Sequence, residues 1–100
     1  MNELSPIEKA YIAGFFDGDG CVTFRKTRTQ RPKLIITQKD PEVLFKIQGM
    51  LGYGRAVHTK AGHWELRITA KAEVWHFAAS MAKYSIVKRK LLRLAVRRCL

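Results

Sequence analysis

The amino-acid sequence predicts an α+β fold in the order α-ββ-α-ββ-α-α, a four-stranded antiparallel sheet with its helices on one face. Three observations lead there. Apolar residues switch twice from a spacing near 3.6 to strict alternation, as expected where helices give way to strands. Proline and glycine mark the switches: Pro6 and Pro41 sit at helix starts, and Gly18, Gly20, Gly52 and Gly54 at helix ends. A pair of strand-like runs followed by a helix-like run occurs twice, over 21–50 and 54–82, a repeated layout without a sequence repeat. No linker rich in Pro, Gly or Ser divides the chain, so 1–100 is read as a single domain.

The first helix is announced by Ser5-Pro6-Ile7-Glu8: a serine N-cap, a proline at the first helical position and a glutamate completing a capping box. It is expected from 6 to about 18. Ala10, Gly14 and Gly18 recur every four residues, with Ala13 beside them, giving a stripe almost without side-chain bulk. Such a stripe lets another helix come close, and equally makes room for the domain's own sheet.

Runs 21–28 and 33–38 read as a hairpin around a polar loop. Val22 and Phe24 share one face with Leu34 and Ile36, whereas Thr23, Arg25, Thr27, Lys33, Ile35 and Thr37 share the other. Asp40 is expected to cap the next helix, with Pro41 at its first turn and Val43, Leu44, Ile47, Met50 and Leu51 in the core. A second hairpin pairs 55–59 with 63–69 across Lys60, Ala61 and Gly62. Trp64, Leu66 and Ile68 face inward, while Glu65, Arg67 and Thr69 face out, and Arg55, Val57 and Thr59 share a face. Two helical runs complete the chain, 72–81 with Val74, Trp75, Phe77, Ala78 and Met81, and 86–99 with Val87, Leu91, Leu94 and Ala95. Trp64, Trp75, Phe77 and Phe45 are read as core residues.

With 19 Lys and Arg against 8 Asp and Glu, the formal charge is +11, while 47% of residues are apolar. That apolar share excludes a disordered basic tail. No uncharged apolar stretch approaches the roughly 20 residues that span a bilayer, and the first residues lack a signal-peptide layout. An intracellular setting without a membrane partner is expected, in cytoplasm, nucleoid or organelle matrix. Cys21 and Cys99 form no CxxC, and His58, His63 and His76 have no mutual ligand spacing, which argues against a disulfide scaffold and a zinc finger. The partner that best fits such a charge is nucleic acid, ahead of an anionic membrane surface or a purely solubilising role.

The charge is unevenly placed. Glu3, Glu8, Asp17 and Asp19 lie in the first twenty residues beside the lone base Lys9. Residues 21–38 and 83–98 carry bases and no acid. An open, basic, four-stranded face is of a size to lie along a DNA groove, with carboxylates near its centre.

The run Ile12-Ala13-Gly14-Phe15-Phe16-Asp17-Gly18-Asp19-Gly20 resembles the LAGLIDADG motif of homing endonucleases, with hydrophobic changes at apolar positions and Gly for Ala between the acids. The element order above is also that family's fold. The resemblance implies a site-specific double-strand DNA endonuclease that hydrolyses phosphodiesters with Mg²⁺ or Mn²⁺, Ca²⁺ supporting binding without cleavage. The motif occurs once, which in that family implies a C2 homodimer. Carried over, Ala10, Ala13, Gly14 and Asp17 belong to the contact between copies, and Asp19 is the metal ligand with the Gly18 carbonyl beside it.

Further positions follow from placement. Gln38, at the end of its strand, resembles the family's polar active-site residue and could orient a water; strict alternation would instead turn it toward the core. Lys88 resembles the family's late catalytic lysine, with Arg89 and Lys90 as close alternatives or phosphate contacts. The resemblance assigns DNA contacts to Arg25, Arg55 and Arg67 as candidates for guanine and to Thr23, Thr27, Lys33, Ile35, Thr37, Val57, Thr59 and Glu65 around them. Arg28, Arg31 and Lys90 would grip phosphates. Where some members carry a base early in the second helix, this chain has Glu42. That departure leaves open a non-cleaving relative that binds DNA or RNA, a transcription factor or an intron-splicing maturase, or a small basic RNA-associated protein.

Overall fold

In the computed structural model, which describes residues 1–24 and 32–99, secondary structure follows the expected order. Helix α1 (Pro6–Asp19) opens on the anticipated capping box: Glu8 N–H donates to Ser5 Oγ at 3.2 Å, and Ser5 N–H donates to Glu8 Oε1 at 2.9 Å. Strand β1 (Gly20–Thr23) follows without a loop, then β2 (Lys33–Gln38), α2 (Glu42–Leu51), β3 (Arg55–His58), β4 (Trp64–Ile68), α3 (Lys71–Met81) and α4 (Arg89–Arg98). The sheet order is β1-β2-β4-β3, every pair antiparallel.

Alternation decides the two faces of the sheet. Leu34, Ile36, Leu66 and Ile68 are fully buried beneath the helices. They meet Ile12, Ala13 and Phe16 of α1, Leu44, Ile47 and Leu51 of α2, and Val74, Phe77, Ala78 and Met81 of α3 in one continuous core. Phe16 and Phe77 pack edge to face, 5.1 Å between centroids. The passage from α1 into β1 requires glycine at position 20, because a Cβ there would run into the Phe16 ring. Gly52 closes α2 in the left-handed region, φ 76°, its N–H donating to the Gln48 carbonyl.

Four expectations are corrected. The last helix begins at Arg89 and not at 86, because the preceding amides are bonded elsewhere, as described below. Of the apolar residues expected there, Ala95 is buried, but Val87 and Leu91 are exposed and Leu94 half-buried, and the core is completed by Leu92 and by Cys99 just past the helix end. Trp75 and Phe45 are half-exposed and not core; Phe45 lies edge-on to Trp64, which stacks on His58. Pro41, not Asp40, stands at the N-cap of α2, which starts at Glu42; Asp40, one residue earlier, accepts the Glu42 N–H through Oδ1 at 3.0 Å.

Candidate active site

Helix α1 ends at Asp19, exposed at its last position, and the chain turns at once into the sheet. β2 runs antiparallel to β1, so its final residue, Gln38, returns to the same end. There Gln38 Nε2 donates to Asp19 Oδ2 at 2.7 Å. The amide is thus neither buried in the core nor left at a frayed strand end. No base lies in the last turn of α1, so the helix dipole and the carboxylate together make an electronegative point on a strongly basic chain.

Asp17, two residues earlier, is directed into its own chain. Its carboxylate accepts the Ser85 hydroxyl, the N–H groups of Ile86 at 2.7 Å and Val87 at 3.2 Å, and Lys88 N–H at 3.2 Å. Partial burial would raise its pKa, but the Ser85 hydroxyl and the amides of Ile86, Val87 and Lys88 prevail and hold it below the usual carboxylate range. Lys88 Nζ folds back onto the Asp17 carbonyl at 2.8 Å. The lysine therefore rests against the same helix turn that ends in Asp19.

Of the three neighbouring bases, each has a different surrounding. Arg89 is engaged internally, its Nε donating to the Ala82 and Ser85 carbonyls at 3.2 and 2.8 Å and its Nη2 to the Lys83 carbonyl at 3.3 Å. Lys90 is exposed on α4. Lys88 alone of them touches α1 through the contacts above. Ser85, the one fully buried polar residue among those described, was missed by sequence reasoning. Its signal was present: it stands three residues before Lys88, whose N–H it accepts at 3.2 Å, the spacing of a local side-chain cap.

The side-chain-poor stripe divides. Ala13 is fully buried in the chain's own core. Ala10, Gly14 and Gly18 are exposed, and a Cβ built at either glycine meets nothing within 4 Å. The glycines therefore do not serve the chain's own sheet. Ile7 and Tyr11 extend the exposed face of α1 as an apolar surface.

A hard cation fits the donor set at the tip of α1. Asp19 supplies a carboxylate, and Gly18 one of the last four helix carbonyls, which lack intrahelical partners. Among the described residues no three His, Cys, Asp or Glu converge, so one chain offers only part of a coordination shell.

The outer sheet face is polar and basic. Across the strands Cys21, Ile35, Arg67 and Arg55 fall in one row, and Thr37, Glu65 and Val57 in the next. Thr23 is paired with Lys33. Glu65 Oε1 accepts from Arg67 Nε and lies 2.9 Å from its Nη2; Glu65 Oε2 lies 3.5 Å from His63. Lys33, Ile35, Arg55, Glu65, Arg67 and Thr69 line a concavity of about 510 Å³. The Thr59 hydroxyl donates to the His63 carbonyl at 3.1 Å across the turn. Arg25, Thr27, Arg28 and Arg31 lie outside the described residues. No helix among the described residues is long and apolar enough to cross a membrane.

A helix tipped by an acid and feeding directly into a sheet covered on one face defines a class of α+β domain, and comparison with known proteins makes the class specific. The profile of the LAGLIDADG endonuclease family matches residues 12–95, and the chain belongs to that family. It is 33% identical over 89 residues to the intron-encoded DNA endonuclease ai2b of Dictyostelium discoideum, covering 82% of this chain and 34% of that protein. The homing endonuclease I-CvuI, solved in complex with DNA in the presence of Mg, superposes with a TM-score of 0.78 at 25% identity, over 91% of this chain and 64% of I-CvuI. The archaeal intron-encoded homing endonuclease I-Vdi141I, complexed with DNA, gives 0.74 at 25% identity, over 91% and 65%. I-CvuI has also been solved with its target in the presence of Ca. The chain thus spans about a third of the curated relative and just under two thirds of these structures.

Proposed function

We propose that this chain is one protomer of a homodimeric, metal-dependent homing endonuclease that cuts both strands of a long pseudo-palindromic DNA site. The observation that carries the reading is the meeting of Asp19, Gln38 and the Lys88 segment at one end of α1, while the exposed stripe of Ala10, Gly14 and Gly18 runs along the same helix. Two such helices in contact bring two Asp19 carboxylates to one axis and complete a donor set that one chain leaves partial.

Asp19, with the Gly18 carbonyl, would hold Mg²⁺ or Mn²⁺. The bound cation supplies Lewis acidity toward the scissile phosphate and a more acidic water. Gln38 donates to Asp19 through Nε2, which leaves Oε1 to accept a hydrogen bond from the attacking water and orient it. Lys88 Nζ places positive charge near the phosphate as its oxygens gain charge. On the outer face Arg55 and Arg67 read guanine, and Thr23, Lys33, Ile35, Thr37, Val57, Thr59 and Glu65 complete the surface; Arg25 and Thr27 keep the DNA contacts that the family resemblance assigns them. Arg28, Arg31 and Lys90 hold phosphates. The intron-encoded relative supports a homing role, in whichever compartment holds the target DNA.

The test is cleavage-site selection from randomised duplex DNA in Mg²⁺ and in Mn²⁺, with binding measured in Ca²⁺ and mass by light scattering. Wild type is expected to cleave as a dimer. Asp19→Asn is expected to bind in Ca²⁺ and to lose at least roughly 100-fold in cleavage, because even residues behind a metal ligand cost 10- to 100-fold. Tight duplex binding with no cleavage in either metal would replace this reading with a non-cleaving DNA- or RNA-binding relative. A monomer at micromolar concentration that still cleaves would remove the dimer.

A further inference from the structure

We infer that Asp17 is a positioning residue, whose carboxylate clasps the segment leading into α4 and thereby holds Lys88 against the helix turn that carries Asp19. The inference rests on the endonuclease reading above for its function, and on the hydrogen bonds alone for its geometry.

After α3 the chain passes through seven residues before α4 begins. Within them the amides of Ile86, Val87 and Lys88 all converge on Asp17, and the buried Ser85 hydroxyl donates to the same carboxylate. Three consecutive N–H groups aimed at one point form a concavity for an anion. Here the anion comes from a helix 68 to 71 residues away in sequence. The Lys88 ammonium closes the ring from the other side by donating to the Asp17 carbonyl. A single residue therefore receives both the backbone and the side chain of Lys88, and lies two positions before Asp19 on the same helix.

Packing does not account for this arrangement. Ile86 and Val87 are 83% and 73% exposed, so their side chains do not anchor the segment. Without the carboxylate, water can satisfy the exposed amides, while the core under α3 and α4 remains. Loss of the clasp is therefore expected to loosen Lys88 without unfolding the domain.

The test uses Asp17→Asn, Lys88→Ala and the double variant. Asn keeps the size but offers one acceptor and presents an N–H pair toward donors. Asp17→Asn is expected to lower single-turnover cleavage at saturating protein by roughly 10- to 100-fold, the cost of a misplaced group, with the dissociation constant in Ca²⁺ changed less than about threefold. In the Lys88→Ala background the same change is expected to cost less than about twofold, since coupled residues are non-additive. Additive losses, or a fall in DNA binding equal to the fall in cleavage, would overturn the positioning role. Amide hydrogen exchange at 86–88 judges the clasp without cleavage: it is expected to quicken at least about tenfold in Asp17→Asn, and unchanged exchange would overturn the clasp. Ser85→Ala, which spares Asp17, is expected to show the same changes more weakly. A wild-type chain that cleaves nothing, yet whose exchange at 86–88 depends on Asp17, refutes the endonuclease reading and the catalytic use of the clasp, and leaves its geometry standing.

Discussion

At the scale of single residues, acids only two positions apart have unlike environments. Asp19 faces outward to one amide, while Asp17 is saturated by donors from a remote segment. Asp19 was legible from its place in a nine-residue motif. Asp17 was not, because its partners lie 68 to 71 residues away and no local spacing reports them. Gln38 was half legible: alternation points it inward, but at a strand end the side chain reaches the helix tip instead. A second internal pair makes a pH prediction. Burial, followed by the N-terminal ammonium and Lys9, lowers the pKa of His76 below its ordinary 6.5. Burial, with Glu73, raises the pKa of Tyr53, so its phenol stays protonated, and it shares a 2.8 Å hydrogen bond with His76 Nδ1. Just below 6.5 the unfolded chain binds the proton that folded His76 refuses, so stability falls as pH drops through that value and levels off below the folded pKa. Urea midpoints between about pH 7 and about pH 5 should decline in wild type and decline less in His76→Gln.

At the scale of elements, strands and the first three helices were legible because alternation, caps and glycines agree with one another. The last helix was not, since it carries apolar residues on more than one stripe. Val87, Leu91 and Leu94 make a plausible face, yet the clasp on 86–88 delays the helix and Leu92, Ala95 and Cys99 turn inward. Leu92→Ala is therefore expected to cost about 2–5 kcal/mol by chemical denaturation, and Leu91→Ala less than about 1 kcal/mol. On α1, nothing stands within 4 Å of a Cβ at Gly14. Gly14→Leu should keep the helix, whose interior gains about 0.5–1 kcal/mol when glycine is replaced by a better helix former. It should also block close approach of a second α1, shifting the mass seen by light scattering from dimer to monomer. A dimer unaffected by that leucine would place the contact elsewhere.

At the scale of the whole molecule, a charge of +11 and a sheet left uncovered on one face predict DNA affinity that falls steeply with salt. Lys90→Gln is expected to reduce the slope of log affinity against log salt by about 1 across all sequences. Arg67→Gln should instead relax preference at one base pair by about 1–3 kcal/mol, read from binding to a panel of single-base variants. The two faces of the sheet are separately constrained. Leu34, Ile36, Leu66 and Ile68 keep the domain folded, while Ile35, Glu65 and Arg67 alternate with them and point away from the core. Under the proposed reading, outward positions can therefore drift toward new targets at little expense to the hydrophobic interior. They cannot all drift alone: Glu65 grips Arg67 through both Nε and Nη2, so replacing either partner frees the other, and a lineage acquiring a new recognition sequence there would have to exchange the two together.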